Sequence, residues 1–148
     1  MGRVQIDLPE VLPFHTHYTL RITDMNYGNH LGNDRILALA HEARVEFLQS
    51  MGLSELELGE GTSIIMADAA ILFKSEGFTG NQIRVEVGVG AFTRAGFDLY
   101  YKMVNITTGK DLAYVKTGIV CFDYVERKVR SVPQSFIQTI EKQYGSAS

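Results

Sequence analysis

The chain has 148 residues, a length that suits one domain and allows a folded chain to bury about two thirds of its unfolded surface. Hydrophobic residues make up 45%, charged residues 21%, and the formal net charge is -3, so there is no basic excess of the kind that phosphate backbones select, and nucleic acid is excluded as a partner. Cys121 is the only cysteine, which excludes an internal disulfide and a thiolate metal site and fits a reducing cytoplasm; no apolar run approaches the roughly 18 residues of a membrane span, so neither export nor membrane insertion is expected.

Phe14, Thr16, Tyr18, Leu20 and Ile22 alternate with His15, His17, Thr19 and Arg21, the period of a half-buried strand. A densely polar junction follows, "ITDMNYGNHLGND", in which Asp24, Asn26, Asn29, His30, Asn33 and Asp34 crowd between strand and helix. From Ile36 the residues Ala40, Ala43 and Phe47 recur at helical spacing, flanked by Leu37, Leu39 and Leu48, with Arg35, Glu42 and Glu46 grouped on the opposite side. That spacing predicts a long helix with a wide apolar face. After the polar connection "MGLSELELGEG" come four segments rich in β-branched and aromatic residues, "TSIIMADAAILFKSE", "QIRVEVGVGAFTR", "FDLYYKMVNIT" and "LAYVKTGIVCFDY". Their separators "GFTGN", "AG" and "TGKD" read as turns and predict an antiparallel meander. "VPQSFIQTIEKQYG" predicts a short terminal helix opening near Pro133. No repeat or linker interrupts the chain, so residues 1–148 are expected to form a single domain.

The order strand, long helix, four long antiparallel strands is the layout of an α+β hotdog domain, an antiparallel sheet of about five strands wrapped around one long central helix. From Phe14 to Tyr124 the chain resembles the hotdog-fold acyl-CoA thioesterases of the 4-hydroxybenzoyl-CoA thioesterase type, whose strand-to-helix junction reads D-x-D-x-x-G-H-V-N-N. "DMNYGNHLGN" stands at the same spacing, with Asp24 at the first Asp, His30 at the His and Asn33 at the last Asn, and "AHEARVEFL" is similar to the helix that follows in many such proteins. The second Asp, the family's nucleophile or general base, corresponds here to Asn26, and an amide neither attacks nor accepts a proton at neutral pH.

At a helix N-terminus the first N–H groups lack intrahelical partners and the macrodipole is positive, so a thioester carbonyl placed there is polarised. The resemblance implies that the backbone N–H at or next to Asn33 is the oxyanion donor, with Asp34 beside it at the substrate; Asn33 and Asp34 equally suit helix capping. His30 orients a water or the substrate, or else braces the junction through backbone groups. The carboxylate missing at Asn26 has three candidate replacements. Asp68 sits in the otherwise apolar "IIMADAAILF", where an unpaired buried carboxylate costs several kcal/mol unless it is paired, protonated or working. In the family this strand lies along the dimer seam, which implies that Asp68 of one chain approaches Asn26 and His30 of another. Asp24 is the second candidate, with a turn or capping role as the alternative. Glu42 is the third, and its place beside Arg35 and Glu46 favours a solvated or inter-subunit role. Lys74 and Arg94 match positions where family members carry basic residues near the nucleotide phosphates.

The resemblance implies a thioester hydrolase whose substrate is an acyl-CoA or an acyl-carrier-protein thioester, working as a homodimer or homotetramer. Two other functions are compatible with the residues: a non-catalytic acyl-CoA binding protein, which Asn26 permits, and an (R)-enoyl-CoA hydratase of the D-x-N-P-x-H type. Against the hydratase, the spacing from Asp24 to His30 is one residue longer and the Pro is absent. No metal site and no cofactor are expected, for there is no HExxH, no cysteine cluster and no Gly-rich phosphate loop.

Overall fold

Residues 2–145 are described by the structure, a computed structural model. In chain order the elements are β1 (Phe14–Thr19), a 3-10 turn (Ile22–Asp24), α1 (Asn33–Gln49), β2 (Ser63–Phe73), β3 (Gln82–Phe92), β4 (Gly96–Asn105), β5 (Lys110–Asp123), β6 (Lys128–Val129) and α2 (Gln134–Tyr144). The alternation in β1 faces Phe14, Thr16 and Tyr18 toward α1, but the strand ends earlier than its pattern predicts. Leu20 is still buried, whereas Ile22 enters the 3-10 turn and stands 76% exposed.

The strands form one antiparallel sheet in the order β1-β3-β4-β5-β2, with β6 pairing the end of β5. On its inner face Val85 and Val87 of β3, Tyr101 and Met103 of β4, and Ala113 and Val115 of β5 stand in register and are fully buried. Helix α1 lies across β1, β3 and β5. Its contact stripe includes Ala40 and Ala43, small enough to bring the helix axis close to the sheet, and the fully buried Phe47. Truncating Phe47 to Ala would cost about 3–5 kcal/mol. Helix α2 closes one end of this core, with Phe136 packed on Phe97 at 5.1 Å and Tyr144 stacked on Phe47 at 5.7 Å.

The expected meander holds only for β3, β4 and β5. Strand β2 pairs with β5 at the far edge, and β1 takes the place beside β3. Residues 74–81 are therefore no tight turn: they cross the ends of the intervening strands, about 14 Å at the usual strand spacing, which an extended segment of that length covers easily. This crossing passes beneath the N-terminus of α1, where the Leu31 N–H donates to Gly77 O at 2.8 Å.

Arg44 is a buried charge of α1 that helical periodicity alone did not single out. Its Nε donates to Glu55 Oε2 at 2.8 Å and its Nη1 to the Tyr101 hydroxyl at 3.1 Å, which in turn meets Thr117 Oγ1 at 2.9 Å. A buried guanidinium is tolerable only with such partners.

Candidate active site at the N-terminus of the central helix

The polar junction is a set of interlocking turns. Asp24 is buried: its Oδ2 accepts from the Arg21 N–H at 2.8 Å, and its Oδ1 takes Arg35 Nε and Nη2, each at 3.1 Å. Asn26 is exposed and turns its Oδ1 back into its own loop, accepting from the N–H of Gly28 at 2.9 Å and of His30 at 3.2 Å. These bonds carry the chain round the sharp corner. Asn29 adopts a φ of 62°, the left-handed region that asparagine tolerates better than most residues.

Helix α1 begins without a side-chain cap. Gly32 is the N-cap residue, and its N–H goes to Asp24 O at 3.0 Å, while the Arg35 N–H returns to Gly32 O. The N–H groups of Asn33 and Asp34 have no acceptor among the described residues. A Cβ on Gly32 would meet Asp34 Oδ1 at 2.8 Å, so the glycine leaves room for the helix to start beside Asp24. The capping role open to Asn33 and Asp34 is thus not used, and two donors face outward at the positive end of the macrodipole.

A cavity of ≈ 270 Å³ opens at this terminus. Asn26, His30, Asn33, Ser75 and Glu76 form its polar side, and Leu31, Ile36, Phe73 and Leu112 its apolar side. The ring of His30 lies 5.0 Å from that of Phe78, and its Nδ1 is 2.9 Å from Glu76 Oε1. That close contact does not align as a hydrogen bond, and the buried Nδ1 has no other partner. Donors, a carboxylate and an apolar wall in one concavity are the makings of a site that polarises a carbonyl and seats an apolar group. Glu76 was not among the sequence candidates. It ends the strand segment "TSIIMADAAILFKSE", where nothing in the sequence sets it apart.

The other candidates lie apart from this cavity. The expectation that Asp68 is buried is corrected: its side chain is 63% exposed, on the face of the sheet opposite α1, and it is paired, its Oδ1 accepting from Lys116 Nζ at 2.8 Å and from the Gly118 N–H at 3.0 Å. The Lys116 bond, against a small desolvation and with help from the Gly118 N–H, holds its carboxyl below the usual range. Glu42 is exposed on α1, whereas Glu46, one turn on, is half-buried against β1, its carboxylate accepting from Thr16 Oγ1 at 3.0 Å and from the Tyr18 hydroxyl. Lys74 follows Phe73 near the cavity, but its ammonium rests 5.3 Å above the ring of Tyr114. Arg94 sits at the opposite end of the sheet, where its Nη1 meets Ser131 Oγ at 3.1 Å. Cys121 is fully buried, and burial pushes its thiol up to about 11.

Three solved structures show what the fold is similar to. A 1,4-dihydroxy-2-naphthoyl-CoA thioesterase from Synechocystis superposes with a TM-score of 0.78 at 22% identity, covering 88% of this chain and 96% of that one. A hypothetical protein from Staphylococcus aureus in complex with CoA gives 0.80 at 16% identity, covering 91% and 85%. A probable thioesterase from Escherichia coli gives 0.73 at 16% identity, covering 86% and 96%. No curated protein matches the chain in sequence. The model of one family matches residues 20–140, from the last buried residue before the junction to the last buried residue of α2. With the hotdog architecture and the polar strand-to-helix junction, that match identifies the chain as a member of the thioesterase-like superfamily, hotdog-fold thioester hydrolases.

Proposed function

We propose that the protein hydrolyses acyl-CoA thioesters, with the thioester carbonyl oxygen held at the N-terminus of α1 by the N–H of Asn33. The observation that carries this reading is the N–H of Asn33, without an acceptor among the described residues, at the start of the helix on a residue that lines a cavity with an apolar wall. Water adds to the carbonyl carbon, the charge that develops on oxygen meets the Asn33 N–H and the helix dipole, and collapse expels the CoA thiolate. The acyl group lies toward Leu31, Ile36, Phe73 and Leu112. The solved relatives that act on an acyl-CoA or hold CoA support the CoA-linked substrate. An acyl-carrier-protein thioester presents the same pantetheine arm.

Asn33 offers a direct test. It is the first helical residue, where proline is well tolerated, and Gly32 before it has φ -68° and ψ 142°, the extended conformation that precedes proline. Asn33→Pro therefore deletes one N–H and little else. Thiol release from a panel of acyl-CoAs should fall by about 10²–10³ in kcat, the usual effect of one oxyanion donor, while the melting temperature stays near wild type. Asn33→Ala, which keeps the N–H, should retain most of the activity. An Asn33→Pro protein that turns over at the wild-type rate would remove the oxyanion assignment. The amide at Asn26 supports a second reading, acyl-CoA binding without turnover: acyl-CoA binding by calorimetry with no thiol release and no hydration of enoyl-CoA would favour it.

A further inference from the structure

The cavity contains a carboxylate even though Asn26 does not supply one. Glu76 lines it, carried by the crossing segment between β2 and β3. That segment is pinned on both sides of Glu76. The Ser75 N–H donates to Leu112 O at 3.2 Å and its hydroxyl to Asp111 O at 2.7 Å, while Gly77 O accepts from the Leu31 N–H at 2.8 Å. Gly77 is buried, and a Cβ there would come within 2.7 Å of Leu20 Cδ1, so the backbone passes where no side chain fits. The Glu76 Cα is thereby fixed relative to the start of α1. Its Oε1 contacts His30 Nδ1 at 2.9 Å, and Oε2 has no partner among the described residues. A carboxylate facing Nδ1 favours the tautomer with its proton on that nitrogen, and a small rotation of the Glu76 side chain would align the contact as a hydrogen bond from His30 to Oε1, leaving Oε2 free.

We propose that Glu76 is the general base of this site and His30 the residue that positions it, a proposal that rests on the thioesterase reading above. Oε2 of Glu76 accepts a proton from the attacking water as the water oxygen bonds to the thioester carbon, and the carbonyl becomes an oxyanion at the Asn33 N–H. When the carbon–sulfur bond breaks, the departing CoA thiolate takes that proton from the Glu76 carboxyl. One thioester and one water give one acid and one thiol, and Glu76 returns to its carboxylate. The role is the one lost at Asn26, moved from the junction to the loop that crosses beneath it.

The test uses the full chain and thiol release from acyl-CoAs. Glu76→Gln should lower kcat by about 10²–10⁴, the range for a lost general base, with KM and the melting temperature close to wild type. Glu76→Ala should be equally slow and should regain rate on addition of formate, which places a carboxylate in the vacated space. A structural role for Glu76 would give no such rescue. His30→Ala should slow kcat more than His30→Gln, which keeps a side-chain donor. An active wild-type enzyme whose Glu76→Gln variant turns over unchanged, or a Glu76→Ala variant deaf to formate, would overturn the base assignment and leave the thioesterase reading standing. A wild-type protein that releases no thiol from any acyl-CoA would remove both.

Discussion

Asp24 and Glu76 are both carboxylates at the strand-to-helix junction, and their surroundings give them different work. Asp24 is 3% exposed with all its acceptor capacity directed at Arg21 and Arg35, so its charge holds the start of α1 to the turn before it. Asp24→Asn leaves the Arg35 guanidinium with a weaker partner and should lower stability by about 2–3 kcal/mol, since one member of a largely buried pair has been neutralised. Turnover of the folded variant should stay near wild type, and a loss of kcat comparable with that of Glu76→Gln at unchanged melting temperature would return Asp24 to the chemistry. Asp68→Asn is expected to change neither kcat nor the fold, because its partners Lys116 and Gly118 lie on the outer face. The misreading of Asp68 has a physical source. Apolar neighbours in sequence imply burial in a central strand, but β2 is an edge strand, and the register shift between Met66 and Asp68 turns the carboxylate outward at a bulge.

At the scale of elements, α1 was legible because its apolar positions repeat with helical period, and β3, β4 and β5 because they alternate. The position of β2 was not, since a loop's length and composition do not say whether its strands pair or pass each other, and Glu76 was missed with it. Arg44 went unnoticed for a related reason: a charged residue is rarely buried, whereas its place on the buried stripe of α1 puts its guanidinium against Tyr101, which meets Thr117. The Arg44 and Glu55 pair links α1 to the segment after it and makes a pH prediction. Burial pushes the Glu55 carboxyl up, but the bonds from Arg44 and His41 outweigh that and hold it below its usual 4.5. A depressed folded-state value contributes stability that is fully present above the unfolded pKa and is lost as pH falls through the folded one. The melting temperature should therefore drop on acidification below about pH 4.5, and Glu55→Gln should melt lower at neutral pH with a shallower acid decline. Parallel acid limbs in the two proteins would show that Glu55 carries none of this dependence. Tyr101→Phe tests the inner end of the network, leaving Arg44 Nη1 and Thr117 Oγ1 unpaired at about 1–3 kcal/mol.

At the scale of the whole molecule, β2 presents a long edge with no strand partner among the described residues, next to exposed Met66, Ala67 and Ala69, with no lysine or proline along it to discourage pairing. An edge of this kind is expected to be covered, and a second copy related by a two-fold axis would pair β2 with β2 in antiparallel register. That arrangement has a consequence for Arg94. In one chain Arg94 lies at the end of the sheet away from the cavity, level with the start of β2, while the cavity lies at the end of β2 beside Phe73. Antiparallel pairing sets the start of one β2 against the end of the other, which moves Arg94 of each chain toward the cavity of its neighbour. Light scattering should accordingly give a dimer or a multiple of it, and Ala69→Lys, which adds charge on the edge, should shift the protein toward monomer. Arg94→Ala should raise KM for acyl-CoA several-fold with kcat little changed, as expected for a phosphate contact outside the reacting centre. The decisive combination is a heterodimer of an Arg94→Ala/Glu76→Gln double variant with the wild-type chain, one of the two tagged for separation: only the wild-type cavity keeps its base, and the substituted Arg94 is the one that reaches it. Those heterodimers should show the raised KM of Arg94→Ala at half the wild-type kcat. A KM equal to that of wild type would place Arg94 outside its partner's site, and a stable monomer at micromolar concentration would end the shared-site arrangement altogether.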